Sequence, residues 1–256
     1  MPQDSEISDG TLYGISAADK EVAWAVGSHG IIIKTTDGGN TWIKQDSGWY
    51  RPYSQIFDVH AVDANTAWAC GYEGMSWSGL PIILKTTNGG ASWTKIPPRE
   101  GCDDRLFYAV YALDSEVAWL SGHMMDPLGS ILKTEDGGST WNMQSSDFWG
   151  HGIDGVGDKP LWAVCNGSND AFILKSMDGE TWHRQLTGVR DWLMDIAAAD
   201  ENAAWAVGRN GIILHTADGG GNVPVSTCTS RRDALARASR NGYACRTQTL
   251  LTWKCT

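Results

Sequence analysis

The chain has 256 residues, 42% of them hydrophobic and 20% charged, with a formal net charge of -10; that suits one large domain or two small ones and excludes wholesale disorder. No apolar run approaches the roughly 18 residues that a membrane-spanning helix needs. Residues 226–256 hold six Lys/Arg against one Asp, which leaves 14 Lys/Arg and 29 Asp/Glu in residues 1–225, and a body that acidic repels phosphate backbones, so nucleic acid is not expected as a partner.

Residues 1–10, MPQDSEISDG, form an acidic N-terminal segment without the basic-then-apolar pattern of a secretion leader. The expectation is a cytoplasmic protein or an exported one that lacks its leader. From residue 11 a repeat sets in. EVAWAVG (21–27), NTAWACG (65–71), EVAWLSG (116–122), KPLWAVC (159–165) and NAAWAVG (202–208) align on Trp24, Trp68, Trp119, Trp162 and Trp205, spaced by 44, 51, 43 and 43 residues. An aspartate stands five positions before the tryptophan in four repeats (Asp19, Asp63, Asp114, Asp200) and four before it in the other (Asp158).

Each repeat reads as four short strands. An apolar run such as IFDVHAV (56–62), LFYAVYAL (106–113) or WLMDIAAA (192–199) comes first, and an Asp-containing turn leads to the strand carrying the tryptophan. A glycine-containing loop, SHG (28–30) or RNG (209–211), then leads to a third strand of the form IIIKT, IILKT, ILKT, FILKS or IILHT. An Asp-Gly-Gly turn folds it back onto a fourth strand that begins Thr-Trp, since Asp and Gly accept the positive φ of a tight hairpin. Four strands recurring about every 45 residues, with no helical periodicity between them, predict an all-β fold. The expected architecture is a β-propeller of about five four-stranded antiparallel blades over residues 11–225, or part of a larger propeller. Inner strands covered on both faces explain why A-W-A-V-G lacks polar alternation.

The turn residues have a recognisable order. Thr35, Asp37, Gly39, Thr41 and Trp42 recur as Thr86, Asn88, Gly90, Ser92 and Trp93, and as Thr134, Asp136, Gly138, Thr140 and Trp141. A fourth set, Ser176, Asp178, Thr181 and Trp182, is one residue short, and a fifth keeps only Thr216, Asp218 and Gly220. This pattern resembles the Asp box shared by sialidases, sortilin-type receptors, xyloglucanases and photosystem II assembly factors. The longer phrase A-W-A-V-G-x-x-G-x-I-x-K-T-x-D-G-G-x-T-W (23–42) is similar to the photosystem II stability and assembly factor family, over about residues 11–222. That resemblance implies structural boxes, no cofactor, and a scaffold that binds a protein or peptide.

Binding residues are expected in the loops at one face of a propeller. There Trp49, Tyr50, Trp77 and Trp149 accompany Arg51, Arg105 and Arg190, with Asp191 beside the last. The three arginines each precede a first strand, and a basic rim on an acidic body suits an acidic peptide or carboxylate. Asp58, His60, Tyr111 and Asp195 fall on first strands and are expected to line the channel. The alternative is a glycoside hydrolase or a carbohydrate-binding propeller, with Asp103, Asp104, Asp126, Asp147 and Asp191 as candidate acids. None of the six cysteines forms a C-x-x-C pair, so no metal site is expected. Cys70 and Cys165 read as small buried apolar residues. Residues 226–256 read as a basic, Cys- and Arg-rich tail, poorly ordered or with a short helix over 231–240. VPVSTCT (223–229) is a candidate fourth strand, and a change of reading frame is the alternative origin of the tail.

Overall fold

The computed structural model describes residues 7, 10–49, 51–74, 79–98, 105–124, 131–145, 148–168 and 170–220. Among them, strands account for nearly all regular structure, apart from one 3-10 turn at Arg209–Gly211. The first sheet holds β1 (Leu12–Ala17), β2 (Ala23–Gly27), β3 (Ile32–Thr35) and β4 (Ile43–Gln45). The second holds β5 (Ser54–Ala61), β6 (Ala67–Glu73), β7 (Leu80–Thr86) and β8 (Thr94–Lys95). β9 (Arg105–Ala112), β10 (Ala118–Met124), β11 (Ile131–Thr134) and β12 (Asn142–Ser145) form the third. The fourth comprises β13 (Trp149–Gly155), β14 (Leu161–Asn166), β15 (Ala171–Ser176) and β16 (Trp182–Val189), and the fifth β17 (Leu193–Ala198), β18 (Ala204–Gly208) and β19 (Ile213–Thr216).

Neighbours in sequence are neighbours in each sheet, and the strand pairs are antiparallel, which is the blade pattern of a β-propeller. The expected four strands are present in four blades. In the fifth, the described residues supply three. The fourth strands of the first three blades start one residue past the tryptophan, at Ile43, Thr94 and Asn142, rather than at Thr-Trp. The tail expected over residues 226–256 and the candidate strand 223–229 lie outside the described residues.

The chain divides into two compact parts, residues 1–150 and 151–256. In the first part, the space between the first two sheets is filled by Trp24, Val26 and Ile32 from one side and Ala67, Ala69, Ile82, Leu84 and Trp93 from the other. The same positions recur between the second and third sheets: Trp68, Cys70 and Ile83 meet Ala118, Leu120, Leu132 and Trp141. In the second part, Trp162, Val164 and Ile173 meet Leu193, Ile196, Ala204, Ala206 and Leu214. Small residues on one face and an indole on the other let sheets approach closely, as the sequence pattern predicted.

The glycine that ends A-W-A-V-G has a steric cause. First strands carry a bulge near their start, for example between Ile56 and Asp58, where two residues oppose one. The bulge pushes a carbonyl against the second strand. A Cβ on Gly71 would lie 1.9 Å from the Gln55 carbonyl oxygen, and one on Gly27 would lie 2.0 Å from that of Thr11. No side chain fits there.

Candidate functional site

The Asp boxes are closed hydrogen-bonded turns. Thr35 Oγ1 donates to Asp37 Oδ1 (2.8 Å) and accepts from the Gly39 N–H (2.9 Å). Asp37 also accepts from the Thr41 N–H (2.9 Å) and from Thr41 Oγ1 (2.6 Å). Gly38 and Gly39 take φ of 68° and 88°, and the Gly38 N–H reaches the Glu21 carbonyl at 2.9 Å. The box is thereby clipped to the hairpin whose own turn is capped by Asp19 through the Glu21 and Val22 N–H groups. Asn88, Asp136, Asp178 and Asp218 repeat the first bond with Thr86, Thr134, Ser176 and Thr216. Hydrogen bonds from the Thr41 and Thr140 side chains hold the Asp37 and Asp136 carboxyls below the ordinary carboxylate range, and the Thr181 backbone N–H does so for Asp178. All five side chains are spent on their own turns.

The box tryptophans do not simply lie flat on their own blades. Trp93 is buried in the seam with the preceding sheet, where its indole N–H and that of Trp24 both donate to Gln45 Oε1 at 3.1 Å. Trp141 meets Trp68 edge-on, with ring centroids 6.3 Å apart. Trp42 is half-buried against Ala25, Ile31 and Ile33, and Trp182 is half-buried.

The predicted channel residues sit where first strands of successive blades run side by side, and most of them bind the neighbouring strand. Asp58 accepts from its own Val59 N–H (2.8 Å) and from the Val110 N–H of β9 (2.9 Å). In the second part, Asp154 accepts from Ala198 (2.8 Å), while Asp195 caps Ile196 (2.9 Å). Burial raises the pKa of both Asp154 and Asp195. His60 packs edge-on against the buried Tyr111 at 4.6 Å, and burial pushes its pKa down to about 4. These contacts supply a structural use for Asp58, His60 and Tyr111. A row of rings that the sequence reading missed lies above them: Phe57 contacts Tyr13, Tyr72 and Tyr108, with centroids 5.2 to 5.8 Å away. Tyr13, Phe57 and Tyr108 are the extra residues at first-strand bulges, a signal that alternation alone does not carry.

Of the predicted rim residues in the first part, Arg51 donates to Glu73 (2.9 Å) and the Trp49 indole N–H donates to the same carboxylate (3.0 Å). The Trp49 ring also lies 4.4 Å from Lys95 Nζ. Arg51 is therefore largely neutralised. Trp149 is the first residue of β13 and meets His123 edge-on at 5.2 Å. Tyr50, Trp77, Asp103, Asp104, Asp126 and Asp147 lie outside the described residues, as does the side chain of Arg105, whose backbone opens β9.

In the second part, Arg190 is exposed just before β17. The pairing of Leu193 with Gly208 brings Arg209 to that same end of the sheet. The Arg209 N–H donates to the Trp192 carbonyl (2.8 Å), and its guanidinium lies 4.5 Å from the Trp192 ring. Asp191 is engaged by Asn210 Nδ2 at 3.1 Å. Neither Arg190 nor Arg209 has an ion-pair partner among the described residues, unlike Arg51 with Glu73 and Arg184 with Asp170. The sequence reading had RNG only as a glycine-containing loop and missed Arg209. Its substitution for the Ser of SHG was the available signal.

Comparison with known proteins places this geometry among relatives. The family model described as photosynthesis system II assembly factor YCF48 matches residues 3–156. The chain is 25% identical to the photosystem II assembly lipoprotein Ycf48 of a Synechococcus strain, over 80% of this chain and 72% of the relative. A solved structure of YCF48 bound to D1 peptide superposes with a TM-score of 0.60 at 22% identity, covering 81% of this chain and 63% of that one. The chain thus spans under two thirds of that solved protein. A glycoside hydrolase of family GH74 from Niastella koreensis superposes with a TM-score of 0.63 at 16% identity, covering 82% of this chain and 37% of the enzyme. At such identities, the likeness to both solved structures is one of fold.

Proposed function

The chain belongs to the photosynthesis system II assembly factor YCF48 family, and from that premise we propose that it is a non-enzymatic β-propeller scaffold that recognises a protein or peptide partner. The single observation that carries the recognition chemistry is the pair of guanidinium groups at one end of the fifth sheet. Arg190 is exposed and Arg209 is held over Trp192, neither with a carboxylate partner among the described residues. On a protein of net charge -10, unspent arginines are suited to an acidic peptide or a terminal carboxylate, which a planar guanidinium grips through two parallel N–H bonds. Stacking on Trp192 holds one guanidinium in place before the partner arrives, and preorganisation lowers the cost of binding. The solved relative with a bound D1 peptide supports a peptide as the class of ligand.

Arg51 and Arg105 extend the proposal to the first part of the chain. Arg51 enters with its charge already shared with Glu73, so it contributes less attraction than Arg190. Trp49 and Trp149 are proposed as apolar contacts on the same kind of surface, where aromatic and arginine side chains dominate binding energy.

The test is calorimetric titration of the whole protein with a synthetic acidic peptide ending in a free carboxylate, at several salt concentrations. Wild type is expected to bind with an affinity that falls as salt rises. The Arg190→Ala/Arg209→Ala double variant is expected to lose at least about tenfold and most of the salt dependence. Equal binding by both proteins would remove the basis of the proposal.

A further inference from the structure

Four Asn-Gly pairs occur in the chain, at residues 88–89, 166–167, 210–211 and 241–242. The last lies outside the described residues. Asn-Gly is the pair most prone to cyclise, because glycine has no Cβ to shield its backbone nitrogen from the asparagine side chain ahead of it. Cyclisation also needs both residues to be free to move, and the three described pairs differ in this. Asn88 is bound through both ends of its amide: Oδ1 accepts from Thr86 Oγ1 (3.0 Å) and the Ser92 N–H (3.0 Å), and Nδ2 donates to Ser92 Oγ (2.9 Å). The Gly89 N–H donates to the Asn65 carbonyl at 2.8 Å. Asn166 is buried, and its amide exchanges two bonds with the Leu193 backbone, both 2.9 Å. The Gly167 N–H donates to the Asp170 carbonyl at 2.8 Å. In both pairs the attacking nitrogen and the amide it would attack are tied down.

Asn210-Gly211 is held by less. The pair is the centre of the turn between β18 and β19, with φ of 57° and 74° and the Ile212 N–H donating to the Arg209 carbonyl (3.3 Å). Positive φ at both central residues is the type I′ geometry that Asn-Gly favours. The Asn210 amide makes one bond among the described residues, from Nδ2 to Asp191 Oδ1 (3.1 Å). The Gly211 N–H reaches no acceptor beyond its own turn among the described residues. Within residues 151–220, a Cβ on Gly211 would meet nothing within 4 Å, so the peptide plane has room to rotate. The corresponding turn of the first sheet is made by His29-Gly30, with φ of 60° and 73°. The turn therefore does not require asparagine.

We propose that Asn210-Gly211 is a self-modification site, where loss of ammonia converts Asn210 to aspartate or isoaspartate and cancels the charge of the arginine pair. The Gly211 nitrogen gives up its proton and attacks Asn210 Cγ. The N–Cγ bond forms as the Cγ–Nδ2 bond breaks, and ammonia leaves with the proton. Water then opens the succinimide at either carbonyl, and no oxidant or reductant takes part. The new carboxylate stands next in sequence to Arg209, and Asp191 loses its amide donor. Two guanidinium groups, Arg190 and Arg209, against one carboxylate, Asp191, become two against two. The consequence for binding rests on the peptide-recognition reading above: an acidic partner then meets a neutral cluster, and affinity declines as the protein ages.

The experiment ages the whole wild-type protein in mildly alkaline buffer and maps its peptides by mass spectrometry at intervals. The peptide carrying Asn210 is expected to gain one mass unit, and to yield isoaspartate, at least about tenfold faster than those carrying Asn88 and Asn166. Equal rates overturn the proposal. Asn210→His copies the residue found at His29 and has no amide to lose. Aged wild type is expected to bind an acidic peptide several-fold more weakly than fresh protein, in proportion to conversion, whereas aged and fresh Asn210→His bind alike. Conversion without that loss, or the same loss in aged Asn210→His, overturns the charge cancellation. The mass readout needs no ligand, so fresh wild type that binds no acidic peptide would count against the peptide reading alone.

Discussion

Lys34 lies over the indole of Trp24, its cross-strand partner, with Nζ 4.2 Å from the ring centroid. The same ammonium donates to the Ala64 carbonyl (2.7 Å) and the Gly89 carbonyl (3.1 Å) of the next sheet. Lys85 repeats this with Trp68, Ser115 and Gly137, and Lys175 with Trp162, Glu201 and Gly219. Lys34, Lys85 and Lys175 are thus inter-sheet latches. Lys34→Met keeps the stem but strands two carbonyls and removes the cation–π contact, so it is expected to cost about 2–4 kcal/mol. Urea titration at pH 7 measures this. A loss below about 0.5 kcal/mol would show that water replaces the latch.

Gly71 stands where a first-strand bulge presses the Gln55 carbonyl against the second strand, 1.9 Å from the position a Cβ would take. The contact is with backbone, so no side-chain rearrangement relieves it. Gly71→Ala is expected to destabilise the protein by at least about 3 kcal/mol, at or beyond the upper end of ordinary overpacking. The Gly211→Ala control has nothing within 4 Å, although its φ of 74° carries a smaller conformational penalty. The difference between the two variants in denaturant midpoint isolates the clash.

The repeats were legible because they are local. Trp24-type positions, the Asp-Gly-Gly turns and the lengths of the strands all follow from spacing within about twenty residues. What escaped was contact between repeats. Nothing near Lys34 in sequence announces the Gly89 carbonyl, 55 residues away. Arg51 looked like a free rim cation because its partner, Glu73, belongs to a later strand. Trp93 was legible only as a member of a structural box, and the three-dimensional fold gives it Gln45 of the sheet before. Arg209 sits in a short loop that was noted for its glycine alone.

The boxes make a comparison that natural variation has already begun. Box two uses Asn88, whose Oδ1 accepts from the Ser92 N–H (3.0 Å) and whose Nδ2 donates to Ser92 Oγ (2.9 Å). Asp136→Asn is therefore expected to retain most of the stability that Asp136→Ala loses, because the accepting oxygen survives. Wild type and Asp136→Asn should also differ in their response to acid. The Asp136 carboxyl is held below its ordinary range by Thr140 and Thr134, so its contribution is present above the unfolded-state pKa and is lost as pH falls through the folded-state value. The amide has no such loss. Thermal midpoints from pH 7 to pH 2 should converge for wild type and Asp136→Asn at the acid end.

Arg51 and Arg190 are expected to differ in the salt dependence of peptide binding, though both precede first strands. Arg51 is paired with Glu73 at 2.9 Å, and Arg190 has no partner among the described residues. Arg190→Ala should weaken binding of an acidic peptide several-fold at low salt, and Arg51→Ala by less than twofold. Glu73→Gln releases the Arg51 charge and should strengthen binding modestly. Titrations at 50 and 300 mM salt distinguish a local charge effect from loss of fold, which would weaken binding at both.

His60 gives the stability a pH dependence of determinate sign. Its ordinary pKa is 6.5, and burial against Tyr111 lowers it to about 4 in the folded protein. Between those values the unfolded chain takes up a proton that the folded chain refuses, so stability present above pH 6.5 is lost as pH falls and levels off below about 4. The full effect is up to about 3 kcal/mol, and less to the extent that the half-buried ring keeps water. Asp154 and Asp195 work the other way, because burial raises both carboxyls and protonation on acidification relieves their penalty. The two influences separate in a difference measurement. His60→Phe keeps the edge contact with Tyr111 and removes only the imidazole titration. Urea midpoints at pH 7.5 and pH 4.5 should show the variant losing less stability than wild type on acidification, and parallel losses would mean that the imidazole in the folded protein titrates as it does in water.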